Sequence, residues 1–359
     1  MKVLQIITSL NTGGAEKLIT DSVPIYQEYL NVDVLCLEKK ETTFWKSLKK
    51  KSNGKISGLS TGSVYNPLLI IKIIPFLKKY DIIHVHLFPA LYWVVLAKLL
   101  SLSKTPLIYT EHSTNNKRRS ITFLKMIDRF IYKRLDFVGS ISVGTKINLE
   151  NHLNNMSDRI KVIPNGIVLS DFETADEKEE SFFDSNSFVL IQISSFREQK
   201  DQATLIKSLL ELPEEIKLLL VGDGPLRSKH EQFAKELNLE NRIRFLGIRN
   251  DIPSILKGAD VCVLSSHYEG FGLAVVEGMA AAKPVVASNV IGLNEIVEGY
   301  GLLFERGNSK QLAEQISLLY TDKDFYNKIK ELCKKRANNY DIRKMIKSYL
   351  DVYERIKKK

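Results

Sequence analysis

Two glutamates, Glu269 and Glu277, stand in the stretch "HYEGFGLAVVEGMAAAKP", with three glycines around them and an apolar run that stops at a proline. The strand-like "VCVLSS" before them ends at Ser266, and Lys283-Pro284 stops the helix expected from about Leu273 to Ala282. Glu269 therefore sits in a loop and Glu277 in the first turns of a helix. The dipole favours a carboxylate near a helix start, which gives Glu277 a structural reason to be there; Glu269 has less of one. The amides of Phe271, Gly272 and Leu273 at that helix start are available to an anion or to sugar hydroxyls.

Three more segments offer polar chemistry directly after a strand. "SLNTGGAEK" places Gly13 and Gly14 where backbone can approach a ligand and a helix begins at about Ala15. It lacks the third glycine of a dinucleotide fingerprint and the Gly-Lys-Ser/Thr of a P-loop, and a plain tight turn is its alternative. "VGDGPLR" carries Gly222, again a ligand loop or a sharp turn. "SSFREQKDQ" brings Ser194, Ser195, Arg197 and Lys200 to the carboxyl end of a strand, where open sheets bind ligands; a solvated charged loop is the alternative. His112 follows a strand in "YTEHST", whereas His84 and His86 lie within an apolar strand and suit packing. No Asp-X-Asp or histidine cluster has metal-ligand spacing, so no divalent metal is expected.

The elements that must carry these residues alternate. "KVLQIIT", "VDVLCLE", "DIIHVH", "PLIYT" and "DFVGSIS" read as strands separated by helical patterns, and "FVLIQIS", "IKLLLVG", "IRFLG", "VCVLSS" and "PVVAS" repeat the scheme. Apolar strands alternating with helices form parallel sheets covered on both faces. With 359 residues, two domains are expected: 1–165, with the amphipathic tail 343–359 crossing back onto it, and 166–342. The acidic "ETADEKEESFFDSNS" is either a boundary or a surface excursion. No solenoid or propeller repeat is visible.

The formal charge of +10 is uneven. Residues 1–165 hold 24 Lys+Arg against 12 Asp+Glu, a balance of +12, and 343–359 hold 7 against 2. The remaining 166–342 hold 21 against 28, a balance of −7. An anionic partner for the first part follows. After His112, Lys117, Arg118 and Arg119 are consecutive, and Lys125, Arg129 and Lys133 form an i, i+4 stripe, with Leu124, Ile127, Ile131 and Leu135 on another face. Such a helix suits an anionic membrane surface, or else a solvated face over a core stripe. Nucleic acid is not expected, because no basic sheet interleaved with aromatics and no recognition helix is present. Three well-separated cysteines exclude a disulfide framework. The apolar run around His84–Leu100 contains charge and proline and fits a strand and helix better than a membrane span. A cytoplasmic protein, peripheral at the inner face of the plasma membrane, is the expected location.

Taken together and in order, "GGAE", "EH", "VIPNGI", "SSFREQK", "VGDGPLR", "EGFGLAVVE", "VVAS" and "GLNEIV" resemble the retaining glycosyltransferases of family four (glycosyltransferase group 1) over nearly the whole chain. The resemblance implies a GT-B fold: two doubly wound Rossmann-like domains facing each other across a cleft. It implies a hexosyltransferase-type transfer, without a metal or other cofactor, from a nucleotide sugar to an acceptor, with the anomeric configuration retained. A UDP-sugar is expected ahead of a GDP-sugar as donor, and a glycan or polyprenyl-diphosphate-linked glycan of cell-surface polysaccharide synthesis as acceptor. By the same resemblance Glu269 faces the donor sugar, Glu277 holds the ribose hydroxyls, His112 lies near the reaction centre, and Lys200 and Arg197 meet the diphosphate. Gly13, Gly14, Gly222, Phe271, Gly272 and Leu273 complete the donor site. The chain departs from the family at Ser194-Ser195-Phe196, where Gly-Arg-Leu is usual and the arginine is displaced to Arg197, and at Ile291-Gly292, where paired glycines are usual. The competing readings are a UDP-sugar 2-epimerase-like enzyme and a non-catalytic subunit that binds nucleotide or glycan.

Overall fold

The computed structural model describes residues 1–113, 121–154, 157–176 and 182–358. The chain divides into two units, one of residues 1–166 with 342–359 and one of residues 167–341.

Unit 1 alternates β1 (Lys2–Ile7), α1 (Gly14–Tyr26), β2 (Asn31–Glu38), α2 (Thr43–Lys51), β3 (Ile56–Ser60), α3 (Leu69–Leu77), β4 (Ile82–His86), α4 (Ala90–Leu100), β5 (Leu107–Glu111), α5 (Thr122–Tyr132), β6 (Phe137–Ser140), α6 (Val143–Leu153) and β7 (Ile160–Val162). The strands form one sheet in the order β3-β2-β1-β4-β5-β6-β7, with parallel pairing throughout. Both faces of β4 and β5 are buried, one carrying apolar side chains and the other polar ones. Leu4, Ile6, Ile83, Val85, Leu107 and Tyr109 turn to one face and pack under α3–α6. Gln5, His84, His86 and Thr110, at the alternate positions, turn to the other.

Unit 2 contains α7 (Leu169–Glu173), β8 (Phe188–Ile193), α8 (Gln202–Ser208), β9 (Ile216–Val221), α9 (Arg227–Glu236), β10 (Ile243–Gly247), α10 (Ile252–Lys257), β11 (Val261–Leu264), α11 (Leu273–Ala280), β12 (Val285–Ser288), α12 (Asn294–Val297), β13 (Leu302–Phe304), α13 (Ser309–Thr321) and α14 (Lys323–Ala337). Its six strands run parallel in the order β10-β9-β8-β11-β12-β13. The acidic segment that could have marked a boundary falls inside this unit, between α7 and β8; residues 177–181 lie outside the described residues.

The last helix, α15 (Ile342–Lys357), belongs to unit 1. It buries Ile342, Met345, Ile346, Tyr349, Val352 and Tyr353, and it covers the polar face of the central strands. Arg343 grips Glu28 through two hydrogen bonds at 2.8 and 3.1 Å, and Lys357 lies 3.4 Å from Asp81. Those exposed pairs contribute little; the buried face holds the helix.

β3 and the terminal strands β7 and β13 are absent from the strands read off the sequence. β3 carries only partly buried residues and a central glycine, and the other two are three residues long. Edge pairing of this kind leaves little hydrophobic pattern to read.

Candidate functional site

In unit 2 the expected site residues gather where β8 and β11 end. Two loops, 194–201 and 265–270, are clamped together there by buried polar groups. The Ser265 hydroxyl lies 2.9 Å from the Gln192 side-chain oxygen and 2.8 Å from the Asp201 carbonyl and shares its one proton between them. Gln192 in turn donates to the Lys200 carbonyl at 3.0 Å. The His267 amide donates to the Gln199 carbonyl at 2.8 Å, and the Gln199 side chain returns a bond to the Tyr268 carbonyl at 2.9 Å. The outcome is a direct ion pair between the Lys200 ammonium and the Glu269 carboxylate, both largely shielded from water. The other Glu269 oxygen accepts from the Gly270 amide at 3.1 Å. A cation and a carboxylate are thus held side by side by backbone and buried amides rather than by mobile surface chains.

Gly272 caps α11 with φ +87°, a left-handed conformation that other residues rarely adopt. Among the described residues, no backbone hydrogen bond engages the amides of Phe271, Gly272 and Leu273. Phe271 itself is buried against Tyr340, so its amide and not its ring is what the site can use. Glu277 lies on the second turn of α11 and is 4% exposed.

Three expectations change here. Arg197 is exposed, and Phe196 occupies the buried position in that loop. The displaced arginine is therefore a surface group in this state, and Lys200 is the cation built into the site. Gly222 does not offer its amide to a ligand, because that amide donates to the Gly247 carbonyl at 2.8 Å. At φ +130°, with a side chain there set to collide with the Ser194 carbonyl, Gly222 serves close packing of the two loops. Finally, Ile291 is exposed, and Gly292 packs its backbone against Glu269 and Gly270, so the glycine that remains of the usual pair supports the Glu269 loop.

Unit 1 holds a separate pocket of about 290 Å³, lined by Thr8, Ser9, Glu16, Phe88, Glu111 and His112, among others. Gly13 is the extended N-cap of α1 and Gly14 its first residue. The Glu16 carboxylate lies against Gly13, so the helix start already faces a negative group. Glu111 is buried and accepts from Tyr132 at 2.7 Å and from the Ser113 amide at 3.1 Å. Two carboxylates and a histidine suit hydroxyl groups better than phosphate in this pocket. The sequence reading missed Glu16 as a pocket residue; a first-turn glutamate looks like routine helix capping.

His84 and His86 are more than packing. His86 Nδ1 is 3.0 Å from His112 Nε2, and His86 Nε2 is 2.7 Å from the Gln5 side-chain oxygen. His84 bridges Tyr353 Oη at 2.6 Å and Thr110 Oγ1 at 2.7 Å, and Thr110 Oγ1 is 2.7 Å from Tyr349 Oη. Burial pushes the His84 pKa down to about 3, holds that of His86 well below the usual range, and lowers that of His112 to about 4. All three are neutral at pH 7.

The basic stripe also differs from expectation. Lys117, Arg118 and Arg119 lie outside the described residues. Ile131 and Leu135 are buried, and Leu124 and Ile127 half-buried, as a core-facing stripe should be. Lys125 and Arg129 are half-buried and only Lys133 is exposed. The outward face of α5 is instead apolar: Phe123 is 68% exposed, Met126 65% and Phe130 43%, with Ile121 just before the helix also exposed. The spacing of 123, 126 and 130 is helical, but it was hidden because a second apolar stripe on the same helix claimed the core. No helix among the described residues is long and apolar enough to cross a membrane. No group of three or more His, Cys, Asp or Glu among them could hold a metal ion.

Comparison with known proteins completes the picture. Residues 31–171 match the family model described as Glycosyltransferase Family 4, and residues 173–336 match Glycosyl transferases group 1. The N-acetyl-alpha-D-glucosaminyl L-malate synthase of Bacillus anthracis is 28% identical over 286 residues, covering 77% of this chain and 75% of that protein. The Escherichia coli UDP-Gal:alpha-D-GlcNAc-diphosphoundecaprenol alpha-1,3-galactosyltransferase is 29% identical over 303 residues, covering 77% and 76%. Among solved structures, Anabaena HepE in complex with UDP and glucose superposes with a TM-score of 0.87 at 24% identity over 99% of both chains.

Proposed function

The chain belongs to the family-four glycosyltransferases of GT-B fold, and from that premise we propose that it transfers a sugar from a nucleotide-diphosphate donor, with retention and without a metal, to a lipid-linked glycan. The observation that carries this reading is the Lys200–Glu269 pair beside the Gly272 cap. As the glycosidic bond breaks, negative charge develops on the diphosphate and positive charge on the sugar. A fixed ammonium and fixed amides stabilise the first, and a fixed carboxylate the second. In the free protein Lys200 and Glu269 neutralise each other. Donor binding redistributes them, Lys200 to phosphate oxygens and Glu269 to sugar hydroxyls and the anomeric centre. Glu277, rigid on α11, accepts from the two ribose hydroxyls. Glu269 is assigned to positioning and charge stabilisation, since the two carboxylates serve different parts of one donor and not opposite sides of one bond.

UDP is the favoured nucleotide because UDP accompanies the structural relative and UDP-galactose the E. coli relative. A lipid-linked acceptor is favoured by the diphosphoundecaprenol named for the E. coli relative and for a Campylobacter jejuni relative that is 24% identical over 93% of this chain. The exposed Phe123, Met126 and Phe130, on a helix flanked by Lys125, Arg129 and Lys133, give unit 1 a face that can insert shallowly into an anionic lipid surface. Peripheral attachment at the inner face of the plasma membrane follows from that acceptor.

The test is a thermal-shift and hydrolysis screen over UDP- and GDP-sugars. One nucleotide sugar should raise the melting temperature and release its nucleoside diphosphate slowly in water. Binding without release from any donor, with or without a lipid-linked acceptor, selects the non-catalytic reading; release of free nucleotide with a 2-epimerised sugar selects the epimerase.

A further inference from the structure

The central strands of unit 1 carry polar side chains where core is expected, and these connect the tail helix to the pocket. Gln5 is 1% exposed and His86 3% exposed. The Gln5 side-chain nitrogen donates to Tyr353 Oη on α15 at 3.2 Å. Its oxygen must then face the other neighbour, and it lies 2.7 Å from His86 Nε2. An amide oxygen only accepts, so His86 carries its proton on Nε2. A neutral imidazole has one N–H, which leaves His86 Nδ1 with a lone pair. His112 Nε2 stands 3.0 Å from that lone pair and must donate to it. The proton of His112 is thereby committed inward, and its remaining nitrogen, Nδ1, is a lone pair on a residue that lines the pocket with Ser9, Glu16 and Glu111.

We infer that Gln5 is a positioning residue: held by Tyr353 and acting through His86, it fixes His112 as the Nε2–H tautomer, so that Nδ1 accepts a hydrogen bond from a hydroxyl of the sugar or the acceptor. His112 is then an acceptor for a hydroxyl proton and not a donor to an oxyanion. The burial that keeps His84, His86 and His112 neutral removes the doubly protonated form that would erase the preference. The relay also gives the two tail tyrosines a part in the site. Tyr353 orients the amide of Gln5, while Tyr349 holds Thr110 and Thr110 holds His84, whose ring lies tilted with its centroid 4.3 Å from that of His86.

The inference rests on the proposed transfer for its kinetic arm only. The other arm is a long-range ¹H–¹⁵N correlation spectrum of the full chain labelled with [¹⁵N]histidine, with His112 assigned through the peaks lost in His112→Gln. In the wild type, His112 should show an unprotonated Nδ1 and a protonated Nε2. Gln5→Met removes both side-chain hydrogen bonds at similar volume. It should bring the two His112 nitrogens to averaged, intermediate shifts, and lower kcat about tenfold with donor KM changed less than twofold. Should Gln5→Met not fold, Tyr353→Phe removes the acceptor that orients the amide and should give the same pair of changes. A protonated Nδ1 on wild-type His112, or an unchanged His112 pattern in the folded variant, overturns the inference. A wild type that shows the expected tautomer but turns over no donor overturns the transfer reading instead.

Discussion

Lowering the pH from 7 to 5 should destabilise unit 1 through histidines buried in their neutral form. His84 and His86 are 1% and 3% exposed, and burial places their pKa at about 3 and well below the usual range, respectively. In the unfolded chain each titrates near about 6.5. Below that value the unfolded state binds protons that the folded state refuses, so stability falls as pH drops, starting near 6.5 and ending only when the folded-state pKa is reached. Between pH 7 and 5 the linkage relation gives about 2 kcal/mol per histidine, and because His112, lowered to about 4, refuses its proton in the same window, the three together contribute about 6 kcal/mol. Asp81 and Glu28 are held below their ordinary values by Lys2 and Arg343 and titrate at more acid pH, outside this window. Both tryptophans, Trp45 and Trp93, belong to unit 1, so selectively excited tryptophan fluorescence reports on this unit alone. In urea, with a slope of about 2 kcal/mol per molar, the fluorescence midpoint should drop by about 3 M from pH 7 to 5. The His84→Gln variant should lose about a third of that drop. A wild-type loss below about 1 kcal/mol, or an undiminished drop in His84→Gln, would refute the assignment of neutral buried imidazoles.

Other outcomes follow from the same geometry. Glu269→Ala should lower kcat by about 10²–10³ with a small change in donor KM, whereas Glu277→Ala should raise donor KM about tenfold; steady-state kinetics with the donor found in the screen would separate them. Gly222→Ala forces a side chain at φ +130° toward the Ser194 carbonyl, and calorimetry should show unit 2 destabilised by about 2 kcal/mol or more. Replacing Phe123 and Phe130 together by serine should abolish co-sedimentation with anionic vesicles at low salt while leaving donor hydrolysis in solution within twofold, and persistent sedimentation would exclude α5 as the contact.

Much of this architecture could be read directly. Long apolar strands such as "IIHVH" and "IKLLLVG" have no stable place outside a covered parallel sheet, and the tail's apolar positions announced the face that α15 buries. The residues around Glu269 were legible because their types carry chemistry. The residues that hold them were not. Gln5 and Gln192 each sit in the first strand of a unit, each 1% exposed, and each organises a site through side-chain hydrogen bonds. In the sequence each is one amide within an apolar run, "VLQII" and "VLIQIS", and nothing local says what it reaches. A polar residue at a strand position buried on both sides is nonetheless a signal, because its hydrogen bonds must be met inside the protein. The outward apolar face of α5 was obscured for a different reason: two apolar stripes on one helix cannot be ranked by periodicity alone.

The membership of α15 in unit 1 also sets an order of assembly during synthesis. Unit 2 is one unbroken segment, 167–341, whose contacts are complete once its own residues have emerged. Unit 1 is encoded in two pieces, and Gln5, His84 and Thr110 meet Tyr353 and Tyr349 only after the whole of unit 2 has been made. A ribosome-bound chain whose residues up to 341 have emerged, with the tail helix still inside the ribosome, should therefore hold a finished second unit and a first unit whose central histidines lack their cover. The last step in sealing the polar face of the central strands is the arrival of one helix, separated from them by some 175 residues of already folded protein.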